Sequence, residues 1–168
     1  LIDAIWAYSV LHGATASPYD AHNALRGIRT LPVRHERQCA TAMQLATWCE
    51  LSGNCTTVYY PGLASHPQHE LATRQMSSFG SVFAIDIPGG IDACRTFISA
   101  LQLVRPATSL GGPETLICHP ATSTHFGLDE ESLTGALASD GLMRISVGLE
   151  HVDDLRNDLA AAFAASRS

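Results

Sequence analysis

The stretch LMRISVG, residues 142–148, decides the fold of its part of the chain. Side chains of a β-strand alternate between two faces, so Arg144 and Ser146 share one face and the apolar residues share the other. Burying an arginine in such a strand costs free energy unless an anion meets its guanidinium. The stretch therefore predicts a strand that presents Arg144 to something negatively charged.

Two kinds of anion are open for Arg144. Its planar fork of N–H donors matches a carboxylate in two parallel hydrogen bonds, so it could hold the carboxylate of a substrate. It could instead form a structural ion pair with Glu150 or another acidic side chain, and the pattern alone favours this second interpretation.

Strands and helices alternate on both sides of this stretch. The sequence predicts strands at 56–60, 81–87, 115–118 and 142–147, and helices at 65–75, 91–104, 133–138 and 152–165. Such alternation is typical of an α/β layered domain. We expect this domain to occupy residues 56–168.

Residues 1–55 carry only helical patterns and are predicted to form a helical arm and a linking helix. The segment 2–12 is apolar, and SPYD at 17–20 has the pattern of a helix N-terminus. A long helix is predicted at 34–51, ended by glycine and asparagine at 53–54. Its apolar stripe is formed by Ala42, Leu45, Ala46 and Cys49.

Composition excludes several classes of function. The 168 residues are 46% hydrophobic and 15% charged, which is typical of a globular domain. A formal charge of −6 without a basic run argues against binding nucleic acid. No apolar run is long enough for a membrane span and no signal-peptide pattern opens the chain. Five cysteines without a C-x-x-C pair indicate reduced thiols and a cytoplasmic protein.

The glycine-rich stretch TSLGGPET at 108–115 is the second candidate for ligand binding. Paired glycines let the backbone approach a ligand and expose N–H groups to an anion. The G-K-[ST] ending of a nucleotide-binding P-loop is missing, and taken by itself the stretch is better explained as a plain turn.

Metal and hydrolase sites are not predicted. The pair His66 and His69 encloses a proline, and His119 and His125 lie without clustered carboxylates or a known ligand spacing. No serine–histidine–aspartate order and no G-x-S-x-G pattern indicates a nucleophilic hydrolase.

Several stretches together resemble the Cys/Met-metabolism enzymes that use pyridoxal 5'-phosphate (PLP). This family includes cystathionine γ-synthase, cystathionine γ-lyase, methionine γ-lyase and the O-acylhomoserine sulfhydrylases. The stretches follow the family's order and approximate spacing from about Ser17 to the end. They are SPYDA at 17–21, LRGIRTL at 25–31, YPGLASHP at 60–67, QM at 75–76, FG at 79–80, SLGGPETL at 109–116, HPA at 119–121, TH at 124–125 and RISVGLE at 144–150.

The resemblance implies a fold and a set of substrate-binding residues. The fold is the α/β C-terminal small domain of the aspartate-aminotransferase-like (type I PLP) fold, preceded by a helical arm and a long linking helix. Arg144 would bind the α-carboxylate of an amino-acid substrate, and Ser109 would line the same pocket, flanked by Thr108 and Leu110. Members that handle cystathionine commonly have glutamate where this chain has Thr108, which leans toward a lyase or a sulfhydrylase.

The resemblance also implies that the reaction centre lies elsewhere. The lysine that carries PLP, the phosphate-binding loop and the aspartate facing the pyridine nitrogen all precede the matching region in this family. All ten basic residues here are arginines, so the chain has no lysine. We therefore expect no catalytic, cofactor-binding or metal-binding residue in this chain and no activity of the chain alone.

A partner must then supply the chemistry. We expect an N-terminal PLP-binding domain, in the same chain or as a separate polypeptide, and a homo-oligomer, because family members share active sites between subunits. The alternative is a non-catalytic interaction domain or split-enzyme subunit that retains the fold.

Overall fold

The computed structural model describes residues 1–127 and 139–167 of the chain. By contacts the chain divides into two compact units, Leu1–Val33 and Arg34–Ser168. A division by contacts does not define a domain boundary, so the predicted boundary between residues 55 and 56 stays a prediction. The helix predicted at 133–138 lies outside the described residues.

The first unit contains the helices α1 (Ile2–His12) and α2 (Pro18–Ile28), as predicted. A capping box begins α2: the Ser17 hydroxyl accepts from the Asp20 backbone N–H, and the Asp20 carboxylate accepts from the Ser17 backbone N–H. The hydrogen bond from the Ser17 side chain, followed by the one from its backbone, lowers the pKa of Asp20. No residue of α1 is buried.

The long helix α3 spans Leu31–Leu51 and begins three residues before its predicted start. A proline at position 32 is tolerated because the N–H groups of a first helical turn have no intrahelical acceptor. The helix is followed by Gly53, whose φ of 67° is readily adopted only by glycine. The predicted apolar stripe is confirmed, since each of its members is fully buried: Ala42, Leu45, Ala46 and Cys49.

A five-stranded sheet forms the centre of the second unit. Its strands are β1 (Thr57–Tyr59), β2 (Val82–Asp86), β3 (Arg105–Pro106), β4 (Leu116–Cys118) and β5 (Leu142–Ser146). Their order is β1-β2-β5-β4-β3, with β5 antiparallel to both of its neighbours and β3 parallel to β4. The strand that carries Arg144 therefore occupies the middle of the sheet.

The second unit also contains the helices α4 (His69–Gln75), α5 (Gly90–Ala100) and α6 (Val152–Ala165). Buried residues of α5, α6 and the C-terminal part of α3 form one hydrophobic core with residues of the sheet. The apolar side chains of β5, Met143 and Ile145, are fully buried. The hydrophobic core around them includes Ile85, Ile117, Leu45, Phe97 and Leu155. The rings of Phe97 and Phe163 pack edge to face at 4.9 Å and join α5 to α6.

The prediction of a helix at 91–104 is wrong at its C-terminal end, because α5 stops at Ala100. The Asp158 carboxylate on α6 accepts the backbone N–H groups of residues 102, 103 and 104 at 2.8, 3.0 and 2.9 Å. These donors are thereby satisfied without a further helical turn, and the chain continues into β3. The start predicted for α4 was also too early, since residues 65–68 form turns.

Candidate functional site

The candidate site is built around Arg144 at the middle of β5. Its Cα pairs with Ala84 on β2 and with Cys118 on β4, so the residue is held from both sides by the sheet. Arg144 is half-buried, whereas Met143 and Ile145 on either side of it are fully buried in the core. Strand alternation therefore directs the guanidinium to the face opposite the core.

The guanidinium is anchored by backbone carbonyls. Its Nη2 atom donates to the carbonyl oxygens of Thr108 at 2.7 Å and Ser109 at 3.0 Å. Its Nε atom is buried without a hydrogen-bond partner in the described part of the chain. Neutral carbonyls orient a guanidinium without cancelling its charge, so the cation stays available to an anion.

The structural ion pair between Arg144 and Glu150 does not form. The Glu150 carboxylate instead accepts from the Thr115 backbone N–H at 2.7 Å and from its hydroxyl at 2.6 Å. Among residues 1–127 and 139–167, the salt bridges of acidic groups involve Arg95, Arg156 and His151, and none involves Arg144.

The glycine-rich loop, residues 108–115, is held by contacts from three other segments. The Gly111 N–H donates to the Ser146 hydroxyl at 3.0 Å. Ser146 lies on the same face of β5 as Arg144. The Gln38 side-chain amide on α3 donates to the Gly112 carbonyl at 2.6 Å, and the Leu149 N–H donates to the Pro113 carbonyl at 2.7 Å. The loop is therefore fixed by its surroundings along most of its length.

Gly148 lets the end of β5 pass close to this loop. A Cβ atom at position 148 would lie 2.3 Å from the Pro113 carbonyl oxygen, 2.5 Å from the Glu114 carbonyl carbon and 2.5 Å from the Glu150 carboxylate. Two of these three atoms belong to backbone and cannot rotate away. Position 148 therefore requires glycine.

The structure brings the four predicted substrate-binding residues together. Thr108 and Ser109 meet Arg144 through their carbonyls, and the side chains of Thr108, Ser109 and Leu110 are exposed on the same loop. Leu110, the next residue of the loop, is 57% exposed. Their binding of a substrate stays a prediction.

Cys118 is the neighbour of Arg144 on β4. Burial raises the pKa of the Cys118 thiol, which lies beside Arg144 on β4, while the positive charge of Arg144 acts in the opposite direction. Cys118 is thus held as a neutral thiol and does not supply an anion for the guanidinium.

Two of the histidines considered as metal ligands, His69 and His119, make local structural contacts. Both ring nitrogens of His119 are engaged, Nδ1 with the Thr122 hydroxyl and Nε2 with the Asp140 carbonyl, each at 2.9 Å. The Nδ1 atom of His69 lies 2.8 Å from the Pro61 carbonyl. Within the described ranges, no group of three or more His, Cys, Asp and Glu side chains is placed to hold a metal ion.

Sequence reasoning missed Gln38 as part of the site. Gln38 is only 2% exposed and lies four residues before Ala42, so it continues the buried stripe of α3 by one turn. A polar side chain on a buried stripe requires a hydrogen-bond partner, and this requirement is the signal that could have identified it.

Comparisons with known proteins identify the family. The family model described as Cys/Met metabolism PLP-dependent enzyme matches residues 3–164. The chain belongs to this family. The resemblance found in the sequence is confirmed, and PLP is the family's cofactor.

Similar family members have several activities. The chain is 46% identical over 153 residues to an O-succinylhomoserine sulfhydrylase of Pseudomonas aeruginosa, covering 91% of this chain and 38% of that protein. It is 46% identical over 154 residues to an L-methionine gamma-lyase of Pseudomonas putida, and the match covers 92% of this chain and 39% of the lyase. The chain thus spans about two fifths of the length of these relatives.

Solved structures confirm the fold class. A cystathionine gamma synthase of Xanthomonas oryzae pv. oryzae, in complex with aminoacrylate and cysteine, superimposes with a TM-score of 0.85 at 41% identity. The match covers 97% of this chain and 42% of the synthase. The fold is the α/β small C-terminal domain of the type I PLP family. In the described part of the chain, no helix has the length and apolar character needed to cross a bilayer.

The residues of this chain do not fit a covalent PLP site. The chain has no lysine, and the donors that converge on the candidate site belong to an arginine whose Nη2 is already tied to two carbonyls. A guanidinium that no acidic group of the described residues neutralises has the chemistry to bind a carboxylate.

Proposed function

We propose that this chain is the substrate-carboxylate-binding portion of a PLP-dependent transsulfuration-type enzyme. The enzyme would catalyse elimination or replacement at the β or γ carbon of a sulfur amino acid or an acyl-homoserine. The observation that carries the proposal is the Arg144 guanidinium, which is oriented by the carbonyls of Thr108 and Ser109 and has no acidic partner in the described residues.

Each residue of the site has a role in this proposal. Arg144 would bind the α-carboxylate of the substrate through the N–H groups that the two carbonyls do not occupy. The Ser109 hydroxyl would line the same pocket, and Leu110 would pack against the aliphatic part of the substrate. Thr108, which stands where cystathionine-handling members commonly have glutamate, favours a lyase or a sulfhydrylase.

The reaction centre would come from a partner. Bound PLP would stabilise negative charge at a carbon of an amino-acid substrate. Holding PLP as a Schiff base and moving protons would require a lysine, which the chain lacks. We expect a lysine-bearing N-terminal part, in the same polypeptide or in another, and an assembly of several subunits in the cytoplasm. The chain alone would be inactive.

A PLP reconstitution experiment tests this proposal. The chain is joined to, or mixed with, the lysine-bearing part encoded upstream, and uptake of PLP is followed by visible absorbance. Saturable PLP binding together with turnover of an O-acylhomoserine or methionine is expected. An assembly that never takes up PLP would overturn the enzyme proposal.

A non-catalytic role is the second candidate, and the exposed surface of α1 favours it. Trp6 is 69% exposed and Leu11 is 83% exposed, and no residue of this helix is buried. Such an apolar surface is typical of a contact site for another domain or subunit. Reading the DNA upstream discriminates the two candidates: an open frame into a lysine-bearing domain supports the enzyme, and a start codon directly before Leu1 supports an interaction domain or split subunit.

A further inference from the structure

The side chain of Gln38 makes a contact between two distant parts of the chain. Gln38 lies on α3, is 2% exposed, and donates from Nε2 to the Gly112 carbonyl at 2.6 Å. The two residues are 74 positions apart. Because the C-terminal part of α3 is packed in the core, Gln38 ties the glycine-rich loop to a rigid element.

The backbone of the loop, residues 109–112, connects this contact to two further hydrogen bonds, one of which is made by Arg144. Gly111, next to Gly112, donates its N–H to Ser146 on β5 at 3.0 Å. Two residues earlier in the loop, the Ser109 carbonyl accepts from Arg144 at 3.0 Å. The position of the guanidinium therefore depends on the position of a loop segment that Gln38 and Ser146 hold from two sides.

We propose that Gln38 is a positioning residue, which holds the 108–112 segment so that Arg144 keeps its orientation for a substrate carboxylate. This inference rests on the proposed function, since it gives the loop a purpose only if Arg144 binds substrate. The side-chain amide suits the task because its NH2 group donates to a carbonyl, which neither a carboxylate nor a thioether of similar size can do.

The chain offers a matched control for Gln38. Gln44 lies on the same helix, is exposed, and donates to the Ala40 carbonyl of its own helical turn. Gln38→Met and Gln44→Met therefore make the same chemical change at a buried loop contact and at an exposed helix surface. Gln38→Glu is a second variant that keeps the size of the side chain and replaces the donor by an acceptor.

The first measurement is steady-state kinetics of the assembled, PLP-loaded enzyme. Gln38→Met and Gln38→Glu are expected to raise KM about threefold to tenfold with little change in kcat, the range that corresponds to one neutral hydrogen bond. Gln44→Met is expected to leave both constants unchanged. An unchanged KM in both Gln38 variants would overturn the positioning role.

A double-mutant cycle shows whether Gln38 acts through Arg144. In an Arg144→Ala background, Gln38→Met is expected to add no further increase in KM. The same fold increase in both backgrounds would overturn the positioning role, because Gln38 would then act independently of the guanidinium. If Arg144→Ala itself leaves KM unchanged, the proposed function fails instead. Amide hydrogen exchange then tests whether Gln38 holds the loop.

Amide hydrogen exchange tests the loop contact without reference to activity. In the assembled enzyme, Gln38→Met is expected to speed exchange at Gly111, whose N–H depends on the held loop, by tenfold or so. The Thr115 N–H, which Glu150 holds separately, serves as the internal control and is expected to stay slow. Unchanged exchange at Gly111 would overturn the inference.

Discussion

The Nη2 atom of Arg144 lies 2.7 Å from the carbonyl oxygen of Thr108, across 36 positions of sequence. This contact joins the central strand of the sheet to the glycine-rich loop. Within residues 1–127 and 139–167, Arg144 has no acidic partner. Backbone carbonyls satisfy part of its guanidinium and leave its charge uncancelled.

Ser146→Ala tests the second contact that holds the loop. The buried Ser146 hydroxyl accepts from the Gly111 N–H, and its removal leaves that donor without a partner. We expect a loss of roughly 1 kcal/mol in the free energy of unfolding, measured by chemical denaturation. Ser99→Ala, at an exposed position on α5, is the control and should change stability little. Equal stability of the two variants would contradict the role of Ser146.

Asp158→Ala tests why α5 ends at Ala100. The Asp158 carboxylate accepts three backbone N–H groups, so its loss leaves three donors unsatisfied at once. The expected loss is about 2–4 kcal/mol in the free energy of unfolding. Asp154→Ala, on the exposed side of the same helix, should cost well under half of this. Similar losses in both variants would show that the three hydrogen bonds contribute little.

Gly148→Ala should be strongly destabilising, because its Cβ would meet the Pro113 carbonyl at 2.3 Å. A backbone shift to relieve this overlap costs about 1–3 kcal/mol, measurable as a lower midpoint of thermal unfolding. Gly27→Ala is the matched control: nothing lies within 4 Å of its Cβ position, and it stands inside α2. Alanine there should stabilise the helix slightly. A tolerated Gly148→Ala would contradict the close approach.

The capping box of α2 predicts a pH dependence. Hydrogen bonds from Ser17 lower the folded-state pKa of Asp20 below its ordinary value of 3.8. The ionised carboxylate therefore stabilises α2 above the unfolded pKa, and this stabilisation is lost as the pH falls through the lowered folded pKa. Ser17→Ala should move the Asp20 pKa back up toward 3.8 in an NMR titration. A pKa that does not move would contradict the capping contact.

The sequence predicted those elements whose ends are set by nearby residues. The helix predicted at 152–165 matches α6 residue for residue, and the capping pattern at Ser17 begins α2 as expected. The end of α5 could not be predicted, because its determinant, Asp158, lies more than 50 residues away. Local periodicity carries no information about such a contact.

Most residues of the candidate site could be predicted from the sequence, but the contacts between its distant segments could not. Strand alternation placed Arg144 and Ser146 on one face, and the family resemblance pointed to Ser109 and its neighbours. The contact between Gln38 and Gly112 joins segments 74 residues apart and required the three-dimensional structure. The pairing of Glu150 with Thr115 also removes Glu150 as the acidic partner that the strand pattern suggested for Arg144.

Substrate capture by Arg144 is the most direct measurement of the central claim. Arg144→Ala in the assembled, PLP-loaded enzyme should raise KM for an amino-acid substrate by a factor of about 10 to 150, as for a lost charge-assisted hydrogen bond worth about 1.5–3 kcal/mol. Arg95→Ala, which removes an exposed ion pair with Asp92, is the control and should leave KM unchanged. A KM that is the same in the Arg144→Ala variant and the unaltered enzyme would contradict the account.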